Sequence, residues 1–350
     1  MKELFSKKNR SRLISFALVI IIYIVCEVLL KTGNMKSLLK NLLVPVTCYV
    51  VATIALNLVV GFSGELSLGH AGFMSIGAFT SICISGLLAS SIPNTIIRLV
   101  ICIICGGIVS AIFGFIIGIP VLKLKGDYLA IVTLAFCQII KSIINNIYFG
   151  FDNNGLQFSF VENKLELGEG AYALISGPMG ATGTERIATF TAGIILILIT
   201  LVIVYNIIDS KNGRAIMACR DNQIAASSIG INTTNVKMLA FVLSAFLAGT
   251  AGALYGLNYA TLVPAKFDYN QSIMILVYVV FGGLGNITGS IVSTIVLILL
   301  PELLRSLQDY RMIIYAVSLI VIMLITNNKK LKTGFERLTN KLKKGNQNNG

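Results

Sequence analysis

The sequence has no tryptophan, a single histidine and little charge. Only 12% of its 350 residues are Asp, Glu, Lys or Arg, while 55% are hydrophobic and the mean hydropathy is +0.84. A soluble domain cannot bury that much apolar surface in one core. The low content of charged residues and the high content of hydrophobic ones exclude a soluble globular protein and indicate an integral membrane protein.

The chain also lacks the motifs of common catalytic and nucleotide-binding sites. It has no G-x-x-x-x-G-K-[ST] loop, so it does not cradle nucleotide phosphates in that manner. Cys102 and Cys105 form a C-x-x-C pair, but that pair lies in an apolar run without a second pair or a histidine nearby. His70 has no evident catalytic partner. We therefore expect neither an enzyme nor a metal or cofactor bound by this chain.

Long apolar runs predict membrane-spanning helices rather than the short alternating segments of a β-barrel. The basic ends, residues 1–11 and 327–350, are expected in the cytoplasm by the positive-inside bias. The net charge of +13 is then a signal of topology, and nucleic-acid binding is not expected. Residues 12–326 form the predicted transmembrane domain, an all-α polytopic bundle of about eight to ten spans with broken or re-entrant segments.

One stretch between spans, residues 149–186, is acidic and is predicted to lie outside the membrane. It contains five acidic residues but only two basic ones, Lys164 and Arg186. The glycine and asparagine content suggests an ordered cap with a short helix or hairpin. Two interpretations stay open: a contact surface for a solute-binding protein, or a solvated face whose acids follow the charge bias across the membrane.

A polar segment, residues 213–231, separates two apolar runs inside a predicted cytoplasmic loop, residues 209–235. Its charges, Arg214, Arg220 and Asp221, are too costly to leave unpaired in hydrocarbon. Small residues recur at helical spacing and predict one or two short surface helices with a narrow common face. That face consists of Ala215, Ala218, Cys219, Asn222, Ala226 and Ile229. Asp221 is the predicted N-cap of the second helix, and Gly230 the predicted turn after it.

Two glycine-rich segments interrupt predicted spans. Broken backbone at membrane depth is tolerated only where it faces protein or a watery cavity, so one interpretation is that both segments line a translocation path. The candidate path residues are Ser63, Gly64, Glu65, Ser67, Gly282, Gly283, Gly285 and Asn286. The alternative for the first segment, residues 61–72, is a cytoplasmic turn whose glycines let helices pack.

The second interruption bears on the number of crossings. If residues 272–300 crossed the membrane once, the last predicted span, residues 312–326, would place the basic tail outside. The segment must therefore cross twice or re-enter.

Several blocks between residues 42 and 304 resemble one family. Residues 213–256 contain the patterns GRA, RDN, AA, GIN and K-x-x-A-F, and residues 56–78 and 125–146 add two further blocks in matching order. These blocks resemble the LivM-type permeases of branched-chain amino acid importers. Gln138 stands where that family usually has an acid, and Lys141 where it has arginine, so a charge pair found in relatives stays open here.

The resemblance implies a permease subunit of an ABC importer with a type II fold, in the plasma membrane of a bacterium. It implies four partners besides the bilayer: a LivH-like second permease, two ATP-binding subunits that hold the ATP, and an extracytoplasmic amino-acid-binding protein. The polar loop would then dock on the ATPase. The implied coupling residues are Gly213, Arg214, Ala215, Arg220, Asp221, Asn222, Ala225, Ala226, Gly230 and Ile231.

Other functions compete with this one. A related ABC permease for urea, amides or other amino acids would share the same patterns. An ion-coupled secondary transporter would use Glu65 and His70 to carry protons or ions, but it leaves the loop at residues 213–231 unexplained. A purely structural scaffold does not account for the broken helices.

Overall fold

The computed structural model describes residues 7–33, 37–89, 91–124, 126–152, 155–160 and 172–304, together with 313, 314, 316, 317 and 320. The described residues divide into two compact units, the first ending at Thr294 and the second beginning at Ile295. The predicted cytoplasmic tail at 327–350 lies outside the described residues, as does most of the predicted last span.

Seven helices in the described part of the chain are long and apolar enough to cross a membrane. They are α1 (Lys7–Lys31), α2 (Ser37–Asn57), α3 (His70–Leu88), α4 (Thr95–Val121), α5 (Asp127–Asn145), α6 (Phe190–Asp209) and α9 (Thr233–Gly256). The polar loop forms α7 (Lys211–Asp221) and α8 (Gln223–Ser228). Two shorter helices follow, α10 (Tyr269–Gly282) and α11 (Ile287–Leu303). The predicted polytopic helical bundle is confirmed.

Both predicted interruptions are real breaks. A π-helical turn, Leu58–Ser63, prolongs α2 and ends at Gly64, which has a φ of 75°. Residues 64–69 are then non-helical until α3 begins. The second break, residues 283–286, separates α10 from α11 and contains Gly283 and Gly285 with φ of 89° and 77°. Positive φ values favour glycine, which explains Gly64 in the first break and Gly283 and Gly285 in the second.

The core is built from α3, α4 and α9, which approach each other closely through small residues. A Cβ atom on Gly77 of α3 would lie 2.0 Å from the carbonyl oxygen of Gly249, and one on Gly252 would lie 1.9 Å from that of Met74. On α4, the hydroxyl of Ser110 donates to the carbonyl oxygens of Phe73 and Ala245, at 3.1 and 2.9 Å. Small residues let neighbouring helix backbones pack without a hydrophobic driving force from water.

The acidic stretch forms a small antiparallel sheet in the order β2-β1-β3, with β1 at Ile147–Asp152, β2 at Gly155–Phe160 and β3 at Tyr172–Ser176. The predicted hairpin is thus present as β1 and β2. Two further strands, β4 (Ala181–Thr182) and β5 (Thr261–Leu262), pair with each other.

The sheet and the polar loop lie at opposite ends of α3. Its first residues follow the break that contacts α7, whereas a Cβ on Gly86 near its last turn would lie 2.5 Å from Leu174 of β3. At the sheet end, the buried guanidinium of Arg98 pairs with Glu185 in the segment before α6. At the loop end, Arg12 of α1 pairs with Asp209, the last residue of α6.

Because α3, α4 and α9 pack so closely, a single methyl group added between them should destabilise the fold strongly. Gly252→Ala should lower the free energy of unfolding by about 3 kcal/mol, because its Cβ meets backbone rather than a movable side chain. Thermal unfolding of the purified protein in detergent measures the loss.

Gly183→Ala is the matched control, because Gly183 has a φ of 71° but no atom within 4 Å of a built Cβ. It should cost only the left-handed backbone strain of about 1 kcal/mol. Equal losses in the two variants would contradict the packing explanation.

Candidate coupling site

The polar loop folds as two short helices because a polar side chain caps the start of each. The hydroxyl of Ser210 accepts a hydrogen bond from Gly213 N at 3.1 Å, which starts α7. The side-chain oxygen of Asn222 accepts from Ile224 N and Ala225 N, both at 3.0 Å, and starts α8. The predicted cap at Asp221 is wrong: Asp221 is still helical, whereas Asn222 has the extended backbone of an N-cap.

The end of α8 follows the prediction. Gly230 has a φ of 84°, and Ile231 N donates to the carbonyl oxygen of Ala226 at 3.2 Å. This is the six-residue hydrogen bond of a left-handed glycine turn after a helix. It turns the chain back toward α9.

The predicted narrow face of the loop is divided between the inside and the surface. Cys219 and Ala226 are buried against the rest of the chain, and burial raises the pKa of the Cys219 thiol although the charge of Lys237 opposes this. Most of the predicted coupling residues are exposed: Arg214, Arg220, Asp221, Asn222, Ala225 and Gly230. Two isoleucines that are not among the predicted coupling residues are the most exposed large apolar side chains of the loop, Ile224 at 79% and Ile229 at 76%.

Arg220 joins the loop to the first break. Its Nη1 donates to the carbonyl oxygen of Gly61 at 3.0 Å, and its Nε and Nη2 donate to a carboxylate oxygen of Asp221. The last carbonyl groups of a helix have no partner within that helix, so Gly61 needs a donor from elsewhere. Arg220 lies over Gly64, where a Cβ would be 2.7 Å from its Cγ.

A buried ion pair makes a second connection. Lys237 on the second turn of α9 pairs with the carboxylate of Glu65, and its Nζ also donates to the side-chain oxygen of Gln223 at 3.1 Å. Both charged side chains are largely buried, 9% exposed for Lys237 and 13% for Glu65. The first residue of α8, the first break and α9 therefore meet at one ammonium group.

The two breaks contact each other through Asn57, a fully buried residue at the end of α2. Its side-chain oxygen accepts from Gly285 N and its amide nitrogen donates to the hydroxyl of Ser290, both at 2.9 Å. A Cβ on Gly61 would lie 2.3 Å from Gly285 N. Sequence reasoning missed Asn57, although an asparagine inside an apolar run signals a buried partner.

The other candidate path residues have local partners or none. Asn286 accepts from Gly289 N at 3.2 Å and starts α11, and a Cβ on Gly282 would lie 2.4 Å from the backbone of Ser290. The hydroxyls of Ser63 and Ser67 are buried without a hydrogen-bond partner among the described residues. That these residues line a path stays a prediction.

These contacts form one continuous connection. It runs from α7 and α8 through Arg220 and Lys237 to the first break, and from there through Asn57 to the second break. Elements that share buried hydrogen bonds move together or break those bonds. That a displacement of the loop reaches both interrupted helices stays a prediction.

Comparison with known proteins places the chain in a family. A profile of the family described as "Branched-chain amino acid transport system / permease component" matches residues 38–326. The chain belongs to this family. No solved structure matches it.

Two named permeases of the family align with most of the chain, and a third aligns with less than half of it. The LivM permease protein of the high-affinity branched-chain amino acid transport system from Salmonella typhimurium is 32% identical over 287 residues, and that from Escherichia coli is 31% identical over the same length. Each match covers 79% of this chain and 66% of the relative. The Escherichia coli LivH permease protein is 30% identical over 141 residues, a match that covers 40% of this chain and 43% of the LivH chain.

The Glu65–Lys237 pair yields a test of the site. Glu65→Gln should lower the free energy of unfolding by about 3–5 kcal/mol, because it leaves a buried ammonium without its counter-charge. The double variant Glu65→Gln with Lys237→Met should recover most of that loss. Thermal unfolding in detergent measures both.

Glu27→Gln serves as the control, since Glu27 pairs with Lys31 on the surface of α1. That change should cost less than about 1 kcal/mol. A single variant at Glu65 as stable as this control would show that the buried pair does not hold the break in place.

Proposed function

We propose that this chain is a permease subunit of an ABC importer for branched-chain amino acids in the plasma membrane of a bacterium. The observation that carries the proposal is the connection from α7 and α8 to both breaks, through Arg220, Lys237 and Asn57. A loop connected in this way would transmit force from a partner to the membrane domain.

The proposed partners follow from the same geometry and from the names of the relatives. Two ATP-binding subunits would hold the ATP, and one of them would contact the exposed side of α7 and α8. A LivH-like second permease would complete the pathway, because the Escherichia coli LivM and LivH proteins are both named as permease proteins of a high-affinity branched-chain amino acid transport system. The predicted external sheet is the proposed contact for an extracytoplasmic binding protein.

The substrate class is proposed from the names of the relatives alone. Leucine, isoleucine and valine are the named solutes of the family, and urea, amides or other amino acids are the alternatives. None of the contacts described above selects among them.

The rival secondary transporter is less well supported. Its proton or ion carriers would be Glu65 and His70. The carboxylate of Glu65 is engaged by Lys237, and His70 Nε2 lies 2.7 Å from the hydroxyl of Ser244, which itself donates to Ala55 O. A carboxylate held by a buried ammonium is poorly suited to bind and release a transported cation.

Uptake into membrane vesicles distinguishes the two. Vesicles that contain this chain with its partner subunits and binding protein should take up labelled leucine when ATP is supplied at the ATPase face. Uptake should stop when an ATPase subunit is omitted. Uptake driven by a proton gradient without any ATPase subunit would support the secondary transporter.

The exposed isoleucines give a sharper prediction. Ile224→Asp or Ile229→Asp should weaken association with the ATPase subunit at least about tenfold, because burying an isoleucine side chain contributes about 2 kcal/mol. Co-purification of the ATPase at limiting concentration measures the loss. The chain itself should stay in the membrane, since both side chains are exposed in its own fold.

Met179→Asp is the matched control, because Met179 is 69% exposed at the sheet end of the molecule. It should leave ATPase association unchanged. If both isoleucine variants still bind the ATPase like this control, α8 is not the docking element.

A further inference from the structure

A cavity of about 390 Å³ lies between α3, α4, α5 and the β2-β1-β3 sheet. Its volume is within the range of small-molecule sites. Of the side chains that line it, only Thr80 and Cys83 carry a hydrogen-bonding atom, and the others are Ile, Val and Phe. It is separate from the breaks and from the polar loop.

The cavity exists because α3 and α5 diverge. At their loop ends the two helices touch: a Cβ on Gly69 would lie 3.0 Å from the carbonyl oxygen of Thr133, and one on Gly72 would lie 3.1 Å from Cys137 Cα. Toward the sheet the two helices no longer touch in this way, and isoleucines of α5 line the gap opposite α3. Val109 and Phe113 of α4 line a further side of the gap.

The sheet closes the far end. Phe149 of β1 is paired in register with Phe158 of β2 and with Ile175 of β3, and all three side chains line the cavity. The sheet thus presents an apolar patch to the ends of the spans. Protein interiors are close-packed, so a gap of this size calls for an occupant.

The chemistry of the walls excludes the transported solute. An amino acid carries an ammonium and a carboxylate, and neither finds a charged or strong hydrogen-bonding partner among the lining residues. Water is excluded for the same reason, since apolar cavities stay dry.

The cavity is continuous with the face of the protein that the bilayer covers. Phe113 on α4 and Ile143 on α5 line it and are also exposed, 37% and 38%. The neighbouring exposed residues of α4, Ile108 and Ile112, are apolar as well. Chains of lipid therefore have direct access to it between α4 and α5.

We infer that this cavity is a lipid site: it holds one acyl chain of a phospholipid from the leaflet nearest the sheet. The chain fills the gap between α3 and α5 and keeps the two helices apart at the sheet end. The lipid is then a component of the membrane domain, independent of which solute is transported.

Photo-crosslinking in native membranes tests the site. A phospholipid with a diazirine at mid-chain is incorporated, activated by light, and the modified residues are located by mass spectrometry of peptides. Phe79 and Ile175 should be labelled, although each is only 4% exposed, because they line the cavity. Phe241, which is 1% exposed in the core, should not be labelled.

Filling the cavity should remove the signal. Val109→Phe or Thr80→Phe places a ring in the gap, and either change should abolish labelling of Phe79 and Ile175. Ile112→Phe is the matched control, since Ile112 lies on α4 outside the cavity and is 52% exposed. That variant should keep the labelling of the wild-type chain.

Two results would overturn the inference: no labelling of Phe79 and Ile175, or labelling that persists in both filled variants. Either result would leave the cavity without a lipid. Neither of these results depends on ATP-driven uptake, so the lipid site and the proposed function fail independently.

Discussion

A break in a membrane helix leaves backbone groups that lipid cannot satisfy, and the protein must supply their partners. This constraint organises the candidate site. Gly61 O receives its donor from Arg220, and Gly285 N finds its acceptor in Asn57. Because the first donor belongs to the polar loop and the second acceptor to α2, satisfying the backbone also joins the loop to both breaks. The connection between the loop and the two breaks thus consists of the hydrogen bonds that the broken backbone requires.

The molecule combines a rigid part with parts held by polar contacts. The α3–α4–α9 core is joined through backbone contacts at Gly77, Gly249 and Gly252 that leave no room for a Cβ. The breaks, by contrast, are held by single side chains such as Arg220 and Asn57. Backbone contacts of the first kind resist sliding. The polar contacts at the breaks are buried, so any rearrangement there must supply new partners for the same groups.

Sequence reasoning found what depends on local pattern. The glycine-rich segments predicted both breaks, and the spacing of small residues in the polar loop predicted its two short helices. It failed where the answer depends on distant residues. Asp221 and Asn222 are both good N-caps, and only the fold decides which leaves the helix. No pattern shows that Gly61 meets Gly285, since residues 61 and 285 are brought together by tertiary packing alone.

Asn57 has a consequence for biosynthesis. Its two hydrogen-bond partners stand 228 and 233 residues later in the chain. At about 5–20 residues per second, α2 waits roughly 10–50 s for them while its carboxamide has no final partner. An unpaired amide is disfavoured in bare lipid, so α2 must remain beside water, the insertion machinery or another polar helix until α10 and α11 arrive. Because of the order of synthesis, the hydrogen bonds from Asn57 to Gly285 and Ser290 form late, as a separate step in assembly.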